Sequence, residues 1–146
     1  MLPSGLAKSK GYAEVIYLDA AEEKYIEEVG AANFFAVIGN KLITPELTGS
    51  ILPGITRASI IHLAKNKMGL EVEERRISVE EAVAADEVFC AGTAAIVAPI
   101  GSINYKDKDY TYCKGKIGKV TNDLYNYLTG IQFGTSYDEF EWMTEI

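Results

Sequence analysis

Six consecutive residues, Leu52-Pro53-Gly54-Ile55-Thr56-Arg57, have the composition of a helix start that binds an anion. The proline and glycine interrupt the preceding structure, and an amphipathic helix is predicted to begin directly after them and to end at Gly69. The backbone N–H groups of Gly54, Ile55 and Thr56 would then lie unpaired at the positive end of the helix dipole, where phosphate binds well. An ordinary capped helix is the alternative that the sequence leaves open.

Two adjacent glutamates, Glu27 and Glu28, lie inside an otherwise apolar predicted strand. Regular alternation would place Ile26 and Glu28 on one face of this strand. Tyr25, Glu27 and Val29 would then share the opposite face. One carboxylate would therefore face the core and need a cation, a hydrogen-bond donor or a protonated ring nitrogen as its partner. The alternative is an edge strand on which both acids are solvated.

A third candidate segment, Gly92-Thr93-Ala94-Ala95, lies between two apolar strands predicted over 87–91 and 94–100. Its small side chains would let a ligand approach the backbone, and the Thr93 hydroxyl is a hydrogen-bond donor. A tight turn that only requires small residues is the alternative.

The elements that must position these residues form a β-rich α/β pattern. Apolar or alternating runs predict short strands over 14–18, 25–29, 34–38, 41–44, 70–76, 87–91 and 94–100. A two-residue hairpin turn is predicted at Gly39-Asn40. Three helices are predicted, after Thr56, over 78–85 and over 120–130. The second begins with a capping box in which Ser78 caps the helix and Glu81 reaches back to it.

Composition limits the classes of function. At 146 residues the chain fits one domain, and its formal charge of −7 is unfavourable for nucleic acid, whose phosphates require a basic surface. No apolar run approaches the roughly 20 residues of a membrane span. Two cysteines and a single histidine predict neither a disulfide framework nor a metal site. The first residues do not resemble a signal or transit peptide, so a cytoplasmic location is expected for the sequence as written.

Taken in order, six segments resemble the branched-chain amino acid aminotransferases, a class IV pyridoxal-phosphate-dependent family. They are Tyr17-Leu18-Asp19, Tyr25-Ile26-Glu27-Glu28-Val29-Gly30, Asn33-Phe34-Phe35, the run from Ile51 to Arg57, Ala85-Asp86-Glu87-Val88-Phe89 and Gly92-Thr93-Ala94. The resemblance reaches Trp142 but covers only the C-terminal part of a family member. It implies that residues 1–146 form one partial domain, the large C-terminal α/β domain of the family fold. That domain would be incomplete at its N-terminal side, and the small N-terminal domain would be absent.

The resemblance gives the candidate residues roles in binding pyridoxal 5'-phosphate. A glutamate at the position of Glu28 bonds the pyridine nitrogen in this family and keeps the ring protonated, so that the ring accepts electrons. Donors that match Ile55, Thr56 and Thr93 hold the cofactor phosphate. The residue that matches Leu52 packs on the face of the cofactor.

By the same resemblance, Thr93 and Ala94 offer amides to the substrate carboxylate. The implied reaction transfers an amino group between leucine, isoleucine or valine and 2-oxoglutarate. The Schiff-base lysine of the family would fall before Met1, so no catalytic residue is assigned within these 146 residues. The chain is therefore expected to be truncated and inactive alone.

Two other interpretations stay open. The first is a non-catalytic remnant that binds the cofactor weakly or pairs with a full-length relative. The second is an acidic binding module for some other phosphate ligand, which leaves the ordered set of segments unexplained. The partners implied are an amino acid and a 2-oxo acid, together with a second copy of the chain or a full-length relative. A longer precursor could be sent to a plastid or a mitochondrion.

Overall fold

The computed structural model describes residues 15–30, 32–47, 51, 54–92, 97–106 and 108–132 of the chain. Within these ranges the strands are β1 (Ile16–Leu18), β2 (Ile26–Val29), β3 (Ala32–Ile38), β4 (Lys41–Thr44), β5 (Glu71–Glu74), β6 (Glu87–Ala91), β7 (Val97–Pro99), β8 (Ser102–Tyr105) and β9 (Lys108–Thr111). The helices are α1 (Ile55–Asn66), α2 (Val79–Val83) and α3 (Lys119–Gln132), with a short 3₁₀ turn over Cys113–Gly115. The predicted β-rich α/β class is confirmed.

Strand β3 lies at the centre of a sheet of seven strands. Residues Asn33 to Val37 pair with β6 along one edge of β3, so β2 and β4 share its other edge, each beside one half of the strand. All of these pairings are antiparallel, whereas β5 joins β4 in parallel. The predicted hairpin is confirmed, because Gly39 has a φ of +59° in the turn between β3 and β4.

Both faces of the sheet are covered by apolar side chains. On the first face, Val79 and Ala82 of α2 and Ile103 of β8 pack with Phe34 and Val88 of the sheet. The second face packs against α1 and α3 through Ile60, Leu63, Ala64, Leu124 and Leu128. There Phe35 and Phe89 stack in parallel, with ring centroids 4.9 Å apart. None of the helices in the described ranges is long and apolar enough to cross a membrane.

Two local features differ from the sequence prediction. The hairpin of β8 and β9 was not predicted, because its polar residues outnumber its apolar ones and only Ile103 is buried. The capping box at α2 is formed only in part. Ser78 Oγ accepts the Glu81 N–H at 3.1 Å, but the Glu81 carboxylate binds the Arg75 guanidinium at 2.7 Å instead of returning to Ser78.

A buried carboxylate caps α3 from the sheet. Glu87 of β6 accepts the N–H groups of Val120 and Thr121 at 3.2 and 3.0 Å, and the Thr121 hydroxyl at 2.9 Å. These bonds satisfy amide groups that have no partner within the helix and place a negative charge at the positive end of its dipole. A Cβ on Gly118 would overlap the Glu87 carboxylate, so the absence of a side chain there lets the helix approach the sheet.

Replacing Gly118 by alanine is expected to break this contact, since the added methyl group and the carboxylate cannot share one space. We expect a loss of about 2 kcal/mol in the free energy of unfolding, the sum of a lost cap and weakened charged hydrogen bonds. Urea unfolding measures it. Gly101→Ala is the matched control, because a Cβ there meets nothing within 4 Å. Equal unfolding free energies for the two variants would contradict this account.

Asp19 organises the turn between β1 and β2. Its carboxylate accepts the N–H groups of Tyr25 at 2.8 Å, Lys24 at 3.0 Å and Glu22 at 2.8 Å. These bonds, led by that of Tyr25, lower the pKa of Asp19 below its usual value of 3.8.

Asp19 is therefore expected to stabilise the fold above the pKa of its unfolded form, near 3.8, and to lose that effect as the pH falls through its lower folded value. We expect Asp19→Asn to have a lower urea midpoint than the unmodified chain between about pH 4 and about pH 6, and the two proteins to converge near pH 2. Urea unfolding across this range measures the difference. A difference that widens on acidification would show that the carboxylate is not favoured in the folded state.

Candidate cofactor site

Strand β2 carries the two glutamates and contains a β-bulge. Tyr17 of β1 lies opposite Glu28 of β2. The next residue of β1, however, lies opposite Ile26, so the intervening glutamate is an additional residue in β2. Ile26 and Val29 consequently both join the core cluster of the first face. The predicted alternation, with Ile26 and Glu28 on one face, is wrong because the bulge shifts the pattern by one residue.

The edge-strand alternative for Glu27 and Glu28 is also wrong. Strand β2 pairs with β1 on one side and with β3 on the other. Both glutamates are half-buried rather than fully solvated. The sheet therefore holds the Glu28 backbone from two sides.

Glu28 belongs to a row of residues in register across five strands. The row consists of Tyr17, Glu28, Asn33, Ala91 and Val97. Residues opposite one another in antiparallel strands project from the same face of a sheet. Ala91 and Val97 pack in the cluster that α1 and α3 cover, so Glu28 and Asn33 face that side as well.

The start of α1 lies at this face. Gly54 is its N-cap residue, with extended backbone angles (φ −67°, ψ 144°), and no side chain of the described residues caps the helix. The first backbone bond runs from the Ala58 N–H to the Gly54 carbonyl at 3.2 Å, so the preceding N–H groups have no partner within the helix. The first turn contains no acidic residue. Ile55 is 87% exposed and Thr56 is half-buried.

Asn33 connects the glutamate row to this helix start. A Cβ on Gly54 would lie 2.7 Å from Asn33 Oδ1, which is too close for a real contact. Asn33 is itself only 7% exposed. One buried asparagine side chain thus separates the strand that carries Glu28 from the N-terminus that carries Ile55 and Thr56. The structure brings these three predicted residues to one region.

This arrangement offers an acceptor at one end and donors at the other. The Glu28 carboxylate suits a protonated ring nitrogen, and the α1 amides with the Thr56 hydroxyl suit a phosphate. The fit to pyridoxal phosphate rests on this donor set. In the described ranges no three His, Cys, Asp or Glu side chains are grouped so that they could hold a metal ion.

Three predicted residues, Leu52, Thr93 and Ala94, lie outside the described residues, so their roles stay predictions. The described residue before Thr93 is Gly92, which directly follows β6. A Cβ there would lie 3.6 Å from the Ala32 Cβ, an ordinary contact. The single histidine, His62, is exposed on α1.

The structural roles of two residues, Asn33 and Arg57, were not predicted from the sequence. Arg57 is buried on α1, and its Nη2 donates to the Pro45 carbonyl at 3.1 Å and to Glu74 at 2.9 Å. Its Nε has no hydrogen-bond partner in the described part of the chain. A signal was available, because Arg57 lies three residues before Ile60 and seven before Ala64 and so falls on the apolar face.

The ion pair between Arg57 and Glu74 is expected to respond asymmetrically to substitution, because the Arg57 side chain is 5% exposed and that of Glu74 is 44% exposed. Glu74→Ala leaves a buried guanidinium short of a partner and should cost about 2 kcal/mol in unfolding free energy. Arg57→Met leaves a Glu74 carboxylate that water can reach, and it should cost about 1 kcal/mol, mainly because the buried Pro45 carbonyl loses its donor. Urea unfolding compares them, with Glu71→Ala as an exposed control on the same strand. A larger cost for Arg57→Met would contradict the burial argument.

Known proteins are similar in sequence to almost the whole length of this chain. Branched-chain-amino-acid aminotransferase 5, chloroplastic, of Arabidopsis thaliana is 48% identical over 141 residues, which are 97% of this chain and 34% of the relative. A probable branched-chain-amino-acid aminotransferase of Staphylococcus aureus is 50% identical over 142 residues, covering 93% of this chain and 39% of the relative. The chain therefore spans between a third and two fifths of the length of these relatives.

Solved structures have the same fold. The branched-chain amino acid aminotransferase from Escherichia coli superposes with a TM-score of 0.85 at 39% identity, over 97% of this chain and 46% of that one. The enzyme from Thermobaculum terrenum, in its PLP-form, gives a TM-score of 0.80 at 32% identity, over 97% and 44%. The model of the amino-transferase class IV family matches residues 1–103. The chain therefore belongs to the class IV amino-transferase family.

Proposed function

We propose that these 146 residues form the cofactor-binding part of a pyridoxal-phosphate-dependent branched-chain amino acid aminotransferase. The reaction would exchange an amino group between leucine, isoleucine or valine and 2-oxoglutarate. The observation that carries this proposal is the contact of Asn33 with Gly54, which joins the row of Glu28 to the start of α1. The similarity to branched-chain aminotransferases supports the choice of cofactor and substrates.

Glu28 would bind the protonated nitrogen of the pyridine ring. When bound, pyridoxal phosphate supplies an electron-accepting ring and a carbonyl carbon that takes up the amino group. A carboxylate beside the ring nitrogen favours the protonated ring, because the two opposite charges stabilise each other. The pairing of β2 with strands on both sides would keep the carboxylate in place without help from the ligand.

The N-terminus of α1 would bind the phosphate. Its amide groups, its dipole and the Thr56 hydroxyl all favour an anion, and no acidic side chain of the first turn opposes one. Thr93 would add a further donor, and Leu52 would pack on the ring. Thr93 and Ala94 would bind the substrate carboxylate through their amides.

The catalytic lysine is not assigned to any residue of this chain. Since the chain spans only part of its relatives, we propose that catalysis needs the rest of such a protein, which the family resemblance places before the matched region. That portion could come from the same polypeptide or from a second one, in a homodimer or in a pair with a full-length relative. The exposed apolar side chains of Tyr17, Leu47 and Ile55 suit such an association. A plastid location for a longer precursor belongs to the same proposal, as three similar plant proteins are named chloroplastic.

Cofactor binding tests the first part of this proposal. The chain is expected to bind pyridoxamine 5'-phosphate in a calorimetric titration. Glu28→Gln should weaken this binding about tenfold or more and leave the binding of inorganic phosphate unchanged, because it removes only a charged bond to the ring. Thr56→Val should weaken the binding of both ligands.

Matched controls are available for both substitutions. Glu71→Gln removes an exposed carboxylate from β5, and Thr129→Val removes a hydroxyl that donates to the Tyr125 carbonyl within α3. Neither control should change the affinity for either ligand. If the chain does not bind pyridoxamine 5'-phosphate, or if Glu28→Gln binds it as well as the unmodified chain, the proposed site is wrong.

Amino transfer tests the second part. We expect no leucine-dependent formation of glutamate from 2-oxoglutarate by the 146 residues alone, and no lysine labelled by borohydride in the presence of the cofactor. Adding the N-terminal part of the Staphylococcus aureus relative is expected to produce activity. A labelled lysine within these residues would overturn the assignment of catalysis to the other portion. Failure of the mixture to react, with cofactor still bound, would favour the non-catalytic remnant.

A further inference from the structure

We propose that Asn33 is a positioning residue that sets the separation between the Glu28 carboxylate and the N-terminus of α1, an inference that rests on the proposed function. Asn33 would act through these two groups and not on the reacting atoms. Its role would be to match the distance between them to a ligand that carries a ring nitrogen and a phosphate in one molecule.

The first observation is the place of Asn33 in the sheet. It lies opposite Glu28 on one side and opposite Ala91 on the other, so its backbone is held between β2 and β6. Directly opposite residues in an antiparallel pair have Cα atoms about 4.5 to 5.5 Å apart. Asn33 is thus the nearest neighbour of Glu28 in the strand that anchors the sheet.

The second observation is the direction of its side chain. Asn33 Oδ1 lies 2.7 Å from the position that a Cβ of Gly54 would take. The backbone angles of Gly54 are open to any residue, so its conformation does not require glycine. The asparagine side chain is what requires it. The amide therefore acts as a spacer against which the start of α1 rests.

The third observation is that α1 is held independently from its other side. Arg57 bonds the Pro45 carbonyl and Glu74, which belong to the β4–β5 region. Strand β4 pairs with the C-terminal half of β3, whereas β2 pairs with the N-terminal half. The Arg57 contacts and the packing of Ile60, Leu63 and Ala64 hold the body of α1, whereas the Asn33 spacer acts at its first residue, the end nearest to Glu28.

A fixed separation matters most for a ligand that binds at both ends. Such a ligand loses the entropy of immobilisation once and gains two sets of bonds, provided that both ends fit together. Inorganic phosphate uses one end only and does not sense the separation. Removing the Asn33 spacer should therefore lower the affinity for the two ligands to different extents, whereas general destabilisation of the fold should lower both affinities alike.

The test compares pyridoxamine 5'-phosphate with inorganic phosphate on the full chain. We expect Asn33→Ala to weaken binding of the first about tenfold and of the second less than about threefold, because only the joined ligand needs both ends in place. Gly54→Ala should also weaken binding of pyridoxamine 5'-phosphate more than that of inorganic phosphate, because the added methyl group would displace the Asn33 side chain. Asn122→Ala, on the exposed surface of α3, and Gly101→Ala are the matched controls.

A double-mutant cycle provides the readout that separates positioning from stability. Glu28→Gln should cost about tenfold in affinity for pyridoxamine 5'-phosphate in the unmodified chain, but less than about threefold in the Asn33→Ala background. Independent effects of the two substitutions would overturn the inference. If Asn33→Ala does not fold, the same cycle with Gly54→Ala decides. If the unmodified chain binds pyridoxamine 5'-phosphate but both variants lose affinity equally for the two ligands, this inference alone is overturned. If the unmodified chain does not bind pyridoxamine 5'-phosphate, the proposed function is overturned and this inference with it.

Discussion

The structure depends on the double pairing of β3. This strand of seven residues meets β6 along one edge and divides its other edge between β2 and β4. Its odd and even residues supply both apolar clusters, so each face of the sheet is built outward from the same segment. A single shift of register in β3 would therefore displace the glutamate row, the stacked phenylalanines and the helix contacts together.

The two ends of the candidate site obtain their positions from different halves of β3. Glu28 depends on β2, which pairs with the N-terminal half, and α1 is tied through Arg57 to the region of β4 and β5. The buried guanidinium is costly to desolvate and is only partly satisfied. Such a residue adds little net stability, but it permits few alternative arrangements of the helix start.

Local patterns in the sequence predicted a large part of this fold. Gly39-Asn40 specifies the turn between β3 and β4, and the spacing of Ile60 and Ala64 specifies α1, because both signals act over a few residues. The bulge in β2 could not be predicted, since it arises from pairing with β1 and leaves no mark in the composition. The same difference between local and long-range features applies to the candidate site. Glu28, Ile55 and Thr56 could be named from their residue types and from the family resemblance, whereas the importance of Asn33 lies in a contact with Gly54 that is distant in sequence.

The carboxylate of Glu87 has a consequence for which helix N-terminus is available to an anion from solution. Helices α1 and α3 are the two long helices of the described chain, and each presents a partial positive charge at its first turn. In α3 that charge is already neutralised by the Glu87 carboxylate, which packs against Gly118 and accepts the Thr121 N–H. In α1 the first turn contains no acid, and no side chain of the described residues caps it. The fold thus neutralises the N-terminal charge of α3 and leaves that of α1 for an anion, as the proposed phosphate site requires.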